Sequence, residues 1–326
     1  SFFFQLPKAA STYALNKEIA DQYHIRRYGA HGTSHEYISS VVPDVVGKPA
    51  EGLKQIVLHI GNGASASAEV SGKPVETSMG LTPLEGLMMG GRTGDIDPAV
   101  VFHLIRNAHM NVDELDALFN KRSGMMGMTG YGDLREVHRL VSEGNEDAKL
   151  ALDVYVHRIV GYIGNYTYQM GGCDVITFTA GVGENDDVVR KMVCDKLAPF
   201  GVKLDEEKNA TRSKEPRIIS TPDSSVIIAV IPTNEELAIA RKSAAIAEAG
   251  TDTYGNTPLG ISPISSCNTM GADSDWNQPP FVYGHETTTP ASYSPQSPPV
   301  DRSTQRGDPG PITWLPSLRG AVRVAD

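Results

Sequence analysis

Gln55-Ile-Val-Leu-His-Ile-Gly-Asn-Gly-Ala-Ser-Ala-Ser-Ala-Glu-Val70 carries the topology of this chain. Residues Gln55 to Ile60 are short and rich in large apolar side chains, as a buried strand requires. Asn62-Gly63 is a strong hairpin signal, and Ala64 to Val70 then alternates small apolar and polar residues, so the chain doubles back as a second strand. Ser71-Gly72-Lys73 turns it again into a third strand, Pro74 to Ser78. The three together predict an antiparallel meander.

Downstream of the meander, helices and strands alternate. Asp97-Pro98 places an N-cap before a proline at the first helical position, and Val100, Val101, Leu104 and Ile105 follow on one helical face. A second helix is predicted from about Ala148 to Gln169, with Leu152, Tyr155, Ile159, Ile163 and Tyr166 at helical spacing. Strand Val175 to Thr179, loop Ala180 to Asn185, a helix near Asp187 to Phe200, strand Val226 to Ile231 and helix Thr233 to Ala249 complete the series. This order predicts an α/β domain of ribonuclease-H-like topology, a mixed five-stranded sheet with helices on both faces. No internal repeat of fixed period is present.

The composition breaks near Gly250. Of the 21 prolines, 11 lie between Thr251 and Asp326, a stretch without lysine that also holds both tryptophans. Such a stretch cannot form long helices or central strands, so a low-complexity, disordered tail is expected over residues 250–326. At 326 residues the chain has the length of two average domains. Its formal net charge of −10 argues against a nucleic-acid coat or a membrane-surface binder, both of which need clustered Lys and Arg. Cys173, Cys194 and Cys267 share neither a disulfide framework nor metal-type spacing, which fits a reducing, cytoplasmic setting. Phe2-Phe3-Phe4 is too short for a signal-peptide core, and no apolar run reaches the roughly 18 residues that span a bilayer.

The Walker phosphate loop, a complete GxGxxG fingerprint and the GxSxG elbow are all absent. Five short segments remain as candidates for chemistry. In His59-Ile-Gly-Asn-Gly63, Gly61 and Gly63 let backbone approach a ligand, and exposed amides can hold phosphate oxygens. A plain hairpin turn is the alternative. Gly181-Val-Gly-Glu-Asn185 leaves room for a flat ring or a phosphate near a helix start, though any tight strand-to-helix turn can look the same. His31 and His35 are spaced like half of a zinc site, but the associated glutamate is missing and Gly32 disfavours the helix that would align them. A loop histidine that hydrogen-bonds a charged ligand is the better reading. Arg92 stands among glycines in Met89-Gly-Gly-Arg-Thr-Gly-Asp95 and can offer a planar fork to a carboxylate or phosphoryl group, or pair with Asp95 or Asp97 on the surface. Thr233-Asn-Glu-Glu236 fits a capping box, which leaves Glu235 as a carboxylate available to a hydrated Mg²⁺.

These segments, with Arg26-Arg-Tyr-Gly-Ala-His-Gly-Thr-Ser-His35, Thr77 to Pro98, Phe178 to Asn185 and Pro232 to Glu236, occur in one order that strongly resembles the acetate kinase family, part of the superfamily with an actin-like ATPase domain. The likeness runs from about Pro7 to Ala249. It implies reversible transfer of the ATP γ-phosphoryl group to acetate, giving acetyl phosphate and ADP with Mg²⁺. Position by position, it implies that His31 and Arg92 stabilise the transferring group. It further implies that His59, Ile60, Gly61, Asn62 and Gly63 hold ATP phosphates. Asp133, Leu134, Arg135, Gly181, Val182, Gly183, Glu184 and Asn185 would hold the adenosine, Glu235 would help bind Mg²⁺, and Pro83 would line the acetate pocket. A homodimer is implied as well.

The departures bear on activity. Members of the family have two similar domains, and the first supplies an Asn-x-Gly-Ser-Ser-Ser-Lys segment, an acetate-binding arginine and a catalytic aspartate in Phe-Asp-Thr-Ala-Phe-His. None of these occurs here, and Ala30 replaces a phenylalanine seen in many members. The expectation is an N-terminally truncated kinase: residues 1–54 an interdomain remnant leading into the second domain, 55–249 that actin-like domain, and 250–326 the tail. With one wall of the cleft missing, transfer by this chain alone should be impaired. The alternative is a non-catalytic nucleotide-binding remnant or decoy subunit.

Overall fold

The structure, a computed structural model, describes residues 2–253. A 3₁₀ turn, Phe2–Gln5, and three helices, α1 (Lys8–Ser11), α2 (Lys17–Gln22) and α3 (Gly32–Val46), lead into β1 (Lys54–Ile60), β2 (Ala64–Val70) and β3 (Lys73–Thr77). Five helices follow: α4 (Ala99–Ala108), α5 (Val112–Lys121), α6 (Gly124–Thr129), α7 (Leu134–Ser142) and α8 (Glu146–Gln169). The chain then runs through β4 (Val175–Thr179), α9 (Ala180–Asn185), α10 (Asp187–Leu197), α11 (Glu206–Ala210), β5 (Arg217–Ile218), β6 (Ile227–Val230) and α12 (Glu235–Thr253). The sequence places a disordered tail over residues 250–326, but α12 continues through Thr253, and the remainder of that stretch lies outside the described residues.

The meander forms as expected, with Lys54 opposite Val70 and Ile60 opposite Ala64, so residues 61–63 are the turn. The sheet has six strands in the order β3-β2-β1-β4-β6-β5 rather than five. The extra strand, β5, spans two residues and lies antiparallel to β6, too short for any periodic signal. Neighbours β1, β4 and β6 run parallel, as crossover helices require. They are covered on both faces. On one face α3 presents Ile38 and Val42 to Val57, Val175 and Ala229. On the other, α8 presents the five residues expected of its stripe, Leu152, Tyr155, Ile159, Ile163 and Tyr166, all buried with Ile56, Leu58 and Phe178. This is the ribonuclease-H-like arrangement read from the sequence.

The helix expected after Asp97-Pro98 forms, and one loop expectation fails. The apolar side of α4 does not reach the core, since none of its residues is buried and Val100, Phe102 and Ile105 are exposed. Periodicity reports that a helix is amphipathic, not what covers it. Residues 180–185 are helical rather than a loop, because the turn after β4 is made by Ala180 alone at φ 65°. Ahead of β1, α3 packs on β1 and α12, and Phe2 and Phe3 are buried, with the Phe3 ring 5.4 Å from that of His35. Among the described residues no helix is long and apolar enough to cross a membrane.

Candidate active site

The C-terminal end of β1 delivers His59 and the turn Gly61-Asn62-Gly63 to one corner of the sheet. His31 reaches the same corner from the residue preceding α3, where it adopts a left-handed backbone at φ 57°. A non-glycine residue held there is strained, and such strain concentrates at functional sites. The helix begins at Gly32, which corrects the expectation that this glycine keeps the segment in a loop: the penalty for glycine applies inside a helix, not at its first position. His31 and His59 stack with ring centroids 4.1 Å apart. His31 Nδ1 lies 2.8 Å from Ser65 Oγ, and His59 Nδ1 lies 2.8 Å from Ser34 Oγ, which meets Thr233 Oγ1 at 2.8 Å. Burial, and secondarily Arg92, pushes His31 down to about 4, while burial and then His31 push His59 to about 3. Both rings are therefore neutral at physiological pH. Among the described residues no group of three His, Cys, Asp or Glu stands close enough to hold a metal ion.

Arg92 completes the corner. Its Nη1 donates to the Pro83 carbonyl at 3.4 Å and lies 3.8 Å from Met89 Sδ, and among the described residues it makes no ion pair. Surface pairing with Asp95 or Asp97 does not occur. Asp95 accepts from Gly86 N at 2.8 Å and Tyr162 Oη at 2.6 Å, and Asp97 caps Ala99 N at 2.9 Å. Burial lowers the Arg92 pKa from its ordinary value, but guanidinium stays charged at neutral pH. A Cβ placed on Gly63 would sit 3.5 Å from Arg92 Nη1 and 3.6 Å from His31 Nε2, so both groups look into one space that the glycine leaves open. The N–H groups of Asn62 and Gly63 have no acceptor among the described residues, and Gly90 N donates to Asn62 O at 3.0 Å, which pins the turn.

Beside this corner lies a cleft of about 860 Å³. It is lined by eight residues expected from the sequence: Gly61, Asn62, Asp133, Leu134, Arg135, Gly181, Val182 and Asn185. Asp133 is also the N-cap of α7, accepting from Arg135 N at 2.9 Å while it pairs with the exposed Arg135 guanidinium at 2.5 Å. Five expected residues do not line the cleft, Gly63 among them, which faces His31 and Arg92 at the corner instead. Ile60 is buried in the core, and His59 stands behind His31. Gly183 lies against the β4 backbone, where a Cβ would approach Phe178 C to 3.3 Å. Glu184 Oε1 accepts from Ala180 N at 2.9 Å and Thr233 N at 3.2 Å, tying α9 to the start of α12. Sequence reasoning missed His138, Tyr155 and Arg212 on the cleft walls. His138 Nε2 meets Asp186 Oδ2 at 2.7 Å, and that hydrogen bond raises the histidine pKa. The partners are 48 positions apart, and no local pattern announces them.

The capping box expected at Thr233 is not formed. Thr233 Oγ1 is drawn to Ser34, and Asn234 Oδ1 caps the helix instead, accepting from Leu237 N at 2.9 Å. Glu235, the first residue of α12, is half-buried and makes no ion pair among the described residues. One free carboxylate is a fitting donor for a Mg²⁺ that keeps most of its waters and is carried by substrate phosphates.

A model of the acetokinase family matches residues 1–241. The acetate kinase of Corynebacterium efficiens is 54% identical over 247 residues, which cover 76% of this chain and 62% of that protein. That of Leifsonia xyli subsp. xyli is 53% identical over 250 residues, covering 77% of this chain and 63% of its own. Among solved structures, Porphyromonas gingivalis acetate kinase superposes with a TM-score of 0.73 at 41% identity over 76% of this chain and 62% of that one. A propionate kinase from Francisella tularensis superposes with a TM-score of 0.70 at 40% identity over 74% and 61%. The chain thus spans a little under two thirds of the length of these relatives.

Proposed function

The chain belongs to the acetokinase family, and we propose on that premise that it binds Mg-ATP in the cleft beside α9 and presents the γ-phosphoryl group to acetate at His31 and Arg92. The observation that carries this reading is the convergence of a neutral imidazole nitrogen and a guanidinium without an ion-pair partner among the described residues, both within 3.6 Å of a Cβ placed on Gly63, at the end of a cleft of about 860 Å³.

Phosphoryl transfer asks a protein mainly to position the partners and neutralise charge on the equatorial oxygens. Arg92 supplies a fixed positive charge there, and the Asn62 and Gly63 N–H groups supply donors to the bridging phosphates. Pro83, whose carbonyl orients Arg92, borders the space left for the acetate carboxylate. An acetate oxygen forms the new bond to phosphorus as the bond to ADP breaks, so acetyl phosphate and ADP leave. A bound Mg²⁺, steadied by Glu235, would neutralise charge on the β- and γ-phosphates.

The test is calorimetric titration of the chain with Mg-ATP, beside the same mixture with acetate and hydroxylamine to trap acyl phosphate as hydroxamate. Heat together with hydroxamate supports transfer by this chain, and heat without hydroxamate supports only the nucleotide half of the reading. No heat, or heat that Gly63→Val leaves unchanged, overturns it.

A further inference from the structure

A line of hydrogen bonds runs from the phosphoryl corner into the core. His31 Nδ1 meets Ser65 Oγ at 2.8 Å, Ser65 Oγ meets His35 Nε2 at 2.7 Å, His35 Nδ1 meets Ser67 Oγ at 2.5 Å, and Ser67 Oγ contacts Glu69 Oε1. The geometry follows from two periods. His31 and His35 stand one helical turn apart at the start of α3, and Ser65, Ser67 and Glu69 alternate on the face of β2 that α3 covers. His35, Ser65, Ser67 and Glu69 have no exposed surface.

Each serine hydroxyl has a single proton and is buried with no other side-chain partner among the described residues, so for that proton to be bonded it donates to one neighbour and accepts from the other. The line therefore has a direction, and only two arrangements are consistent with a neutral His35. In the outward arrangement Glu69 donates to Ser67, Ser67 to His35 Nδ1, His35 Nε2–H to Ser65, and Ser65 to His31 Nδ1. The His31 proton then sits on Nε2, which faces Gly63 and Arg92. In the inward arrangement every donor reverses, and His31 turns a bare lone pair toward the same space, where it would repel phosphoryl oxygens.

We propose that Ser65, His35, Ser67 and a neutral Glu69 are positioning residues that hold His31 as its Nε2–H tautomer, so that it donates a hydrogen bond to the transferring phosphoryl group. This rests on the reading of His31 given above. The Glu69 carboxyl is fully buried, Oε2 has no partner, and the Ser67 hydroxyl is its only hydrogen-bond contact among the described residues. An ionised carboxylate there would lie uncompensated in the core. Burial accordingly pushes Glu69 up to about 8 and drives His35 far below its ordinary range, so His35 does not carry both protons. The titratable groups that sense Glu69 are Tyr166 on α8 and Cys173 just after it, both kept neutral by burial, and its cross-strand neighbour on β1 is the uncharged Gln55. At the other end, Arg92 and His59 face His31. No group along the line compensates the charge once Glu69 ionises. A carboxylate can only accept, so above about pH 8 the line turns inward and both rings change tautomer together.

Long-range ¹H–¹⁵N spectra of the ¹⁵N-histidine-labelled chain read the protonated nitrogen of each ring and require no turnover. At pH 6.5, His31 and His35 should both carry the proton on Nε2, and between pH 7 and 9.5 both should pass to Nδ1 with one shared midpoint. Glu69→Gln should make both tautomers independent of pH, and so should Ser67→Ala, which cuts the line and leaves Glu69 in place. Unlike tautomers on the two rings at pH 6.5, Nδ1–H on His31 at that pH, or a transition that persists in both variants would overturn the proposal. Because these spectra are taken without nucleotide, a chain that fails to bind Mg-ATP loses the phosphoryl reading while the tautomer result stands or falls separately.

Discussion

The corner around His31 and the rim around Asp133 serve one site by opposite means. At the corner, polar side chains are buried, uncharged apart from Arg92, and held in place by one another: His31 by Ser65, His59 by Ser34, and Ser34 by Thr233. At the rim, Asp133 and Arg135 are charged, paired and largely in water, with the Arg135 side chain 89% exposed. A buried hydrogen bond cannot be exchanged for one to water, so its loss is felt in full, whereas an exposed ion pair competes with solvent at little net gain. Position at the corner is therefore set by the fold, and the rim is free to adapt to whatever enters the cleft.

That contrast is broken most sharply by pH. Glu69 titrates near 8 in the fold against an ordinary value of 4.5, so its neutral form is favoured by folding. The associated stability is complete below about pH 4.5 and is lost as pH rises through 8. Between pH 5 and pH 9 the parent chain should lose on the order of 4 kcal/mol relative to Glu69→Gln, at roughly 1.4 kcal/mol per unit. Urea unfolding of the two proteins at both pH values measures it, and parallel pH dependence would show that Glu69 is not buried as a neutral acid.

The next largest effect lies between corner and rim. Arg190 is only 2% exposed, yet it is charged, and it donates to Asn209 Oδ1 and O at 2.7 Å and to Gly183 O at 2.9 Å. Burial lowers its pKa to about 10, still well above neutrality. Arg190→Ala strands those acceptors and leaves a void, a loss of about 3 kcal/mol. If the site depends on α9 as the contacts imply, Mg-ATP affinity should fall with stability, and an unchanged affinity would separate the two.

What could be read in the sequence was whatever local physics controls. The apolar runs of β1, β4 and β6, the turn at Asn62-Gly63 and the stripe of α8 are set by neighbours in the chain, and all appear close to where they were expected. β5 escaped because two residues carry no period, and α4 was legible as a helix while its exposure was not, because an apolar stripe is silent about its cover. In the site, His31 and Arg92 are 61 positions apart in the chain and meet only through the packing of α3 and the loop after β3 on β1. Their pairing was legible through family resemblance and not through spacing. Ser65, Ser67 and Glu69 were visible only as the polar phase of an alternating strand, a pattern that normally means solvent on one face. Here α3 takes the place of the solvent, which turns three ordinary residues into buried, mutually dependent ones.

Smaller effects sharpen the comparison. A Cβ on Gly90 would fall 2.1 Å from Asn62 Oδ1 and 3.1 Å from Gly132 O, so Gly90→Ala must displace the Asn62 side chain from the turn. Overpacking of this kind costs about 2 kcal/mol. The denaturation midpoint should drop with little change in slope, and a midpoint equal to the parent's would mean that the turn yields freely and is not the pinned element described above.

The rim should show the least, and it divides in an informative way. Asp133 has two roles, N-cap of α7 through Arg135 N and ion-pair partner of the Arg135 guanidinium, whereas Arg135 contributes only the second. Removing the cap with Asp133→Ala should cost about 1 kcal/mol, the usual worth of an aspartate N-cap. Arg135→Ala, which leaves the cap intact and removes a guanidinium standing almost wholly in water, should leave unfolding unchanged within error. If the ion pair rather than the cap supplied the stability, the two variants would fall together, and raising the salt concentration would bring the parent chain down to meet them. If the cap supplies it, salt leaves the gap between Asp133→Ala and the parent in place, and the rim is then shaped by the same backbone hydrogen bonding that shapes the corner, with its charges left over for the ligand.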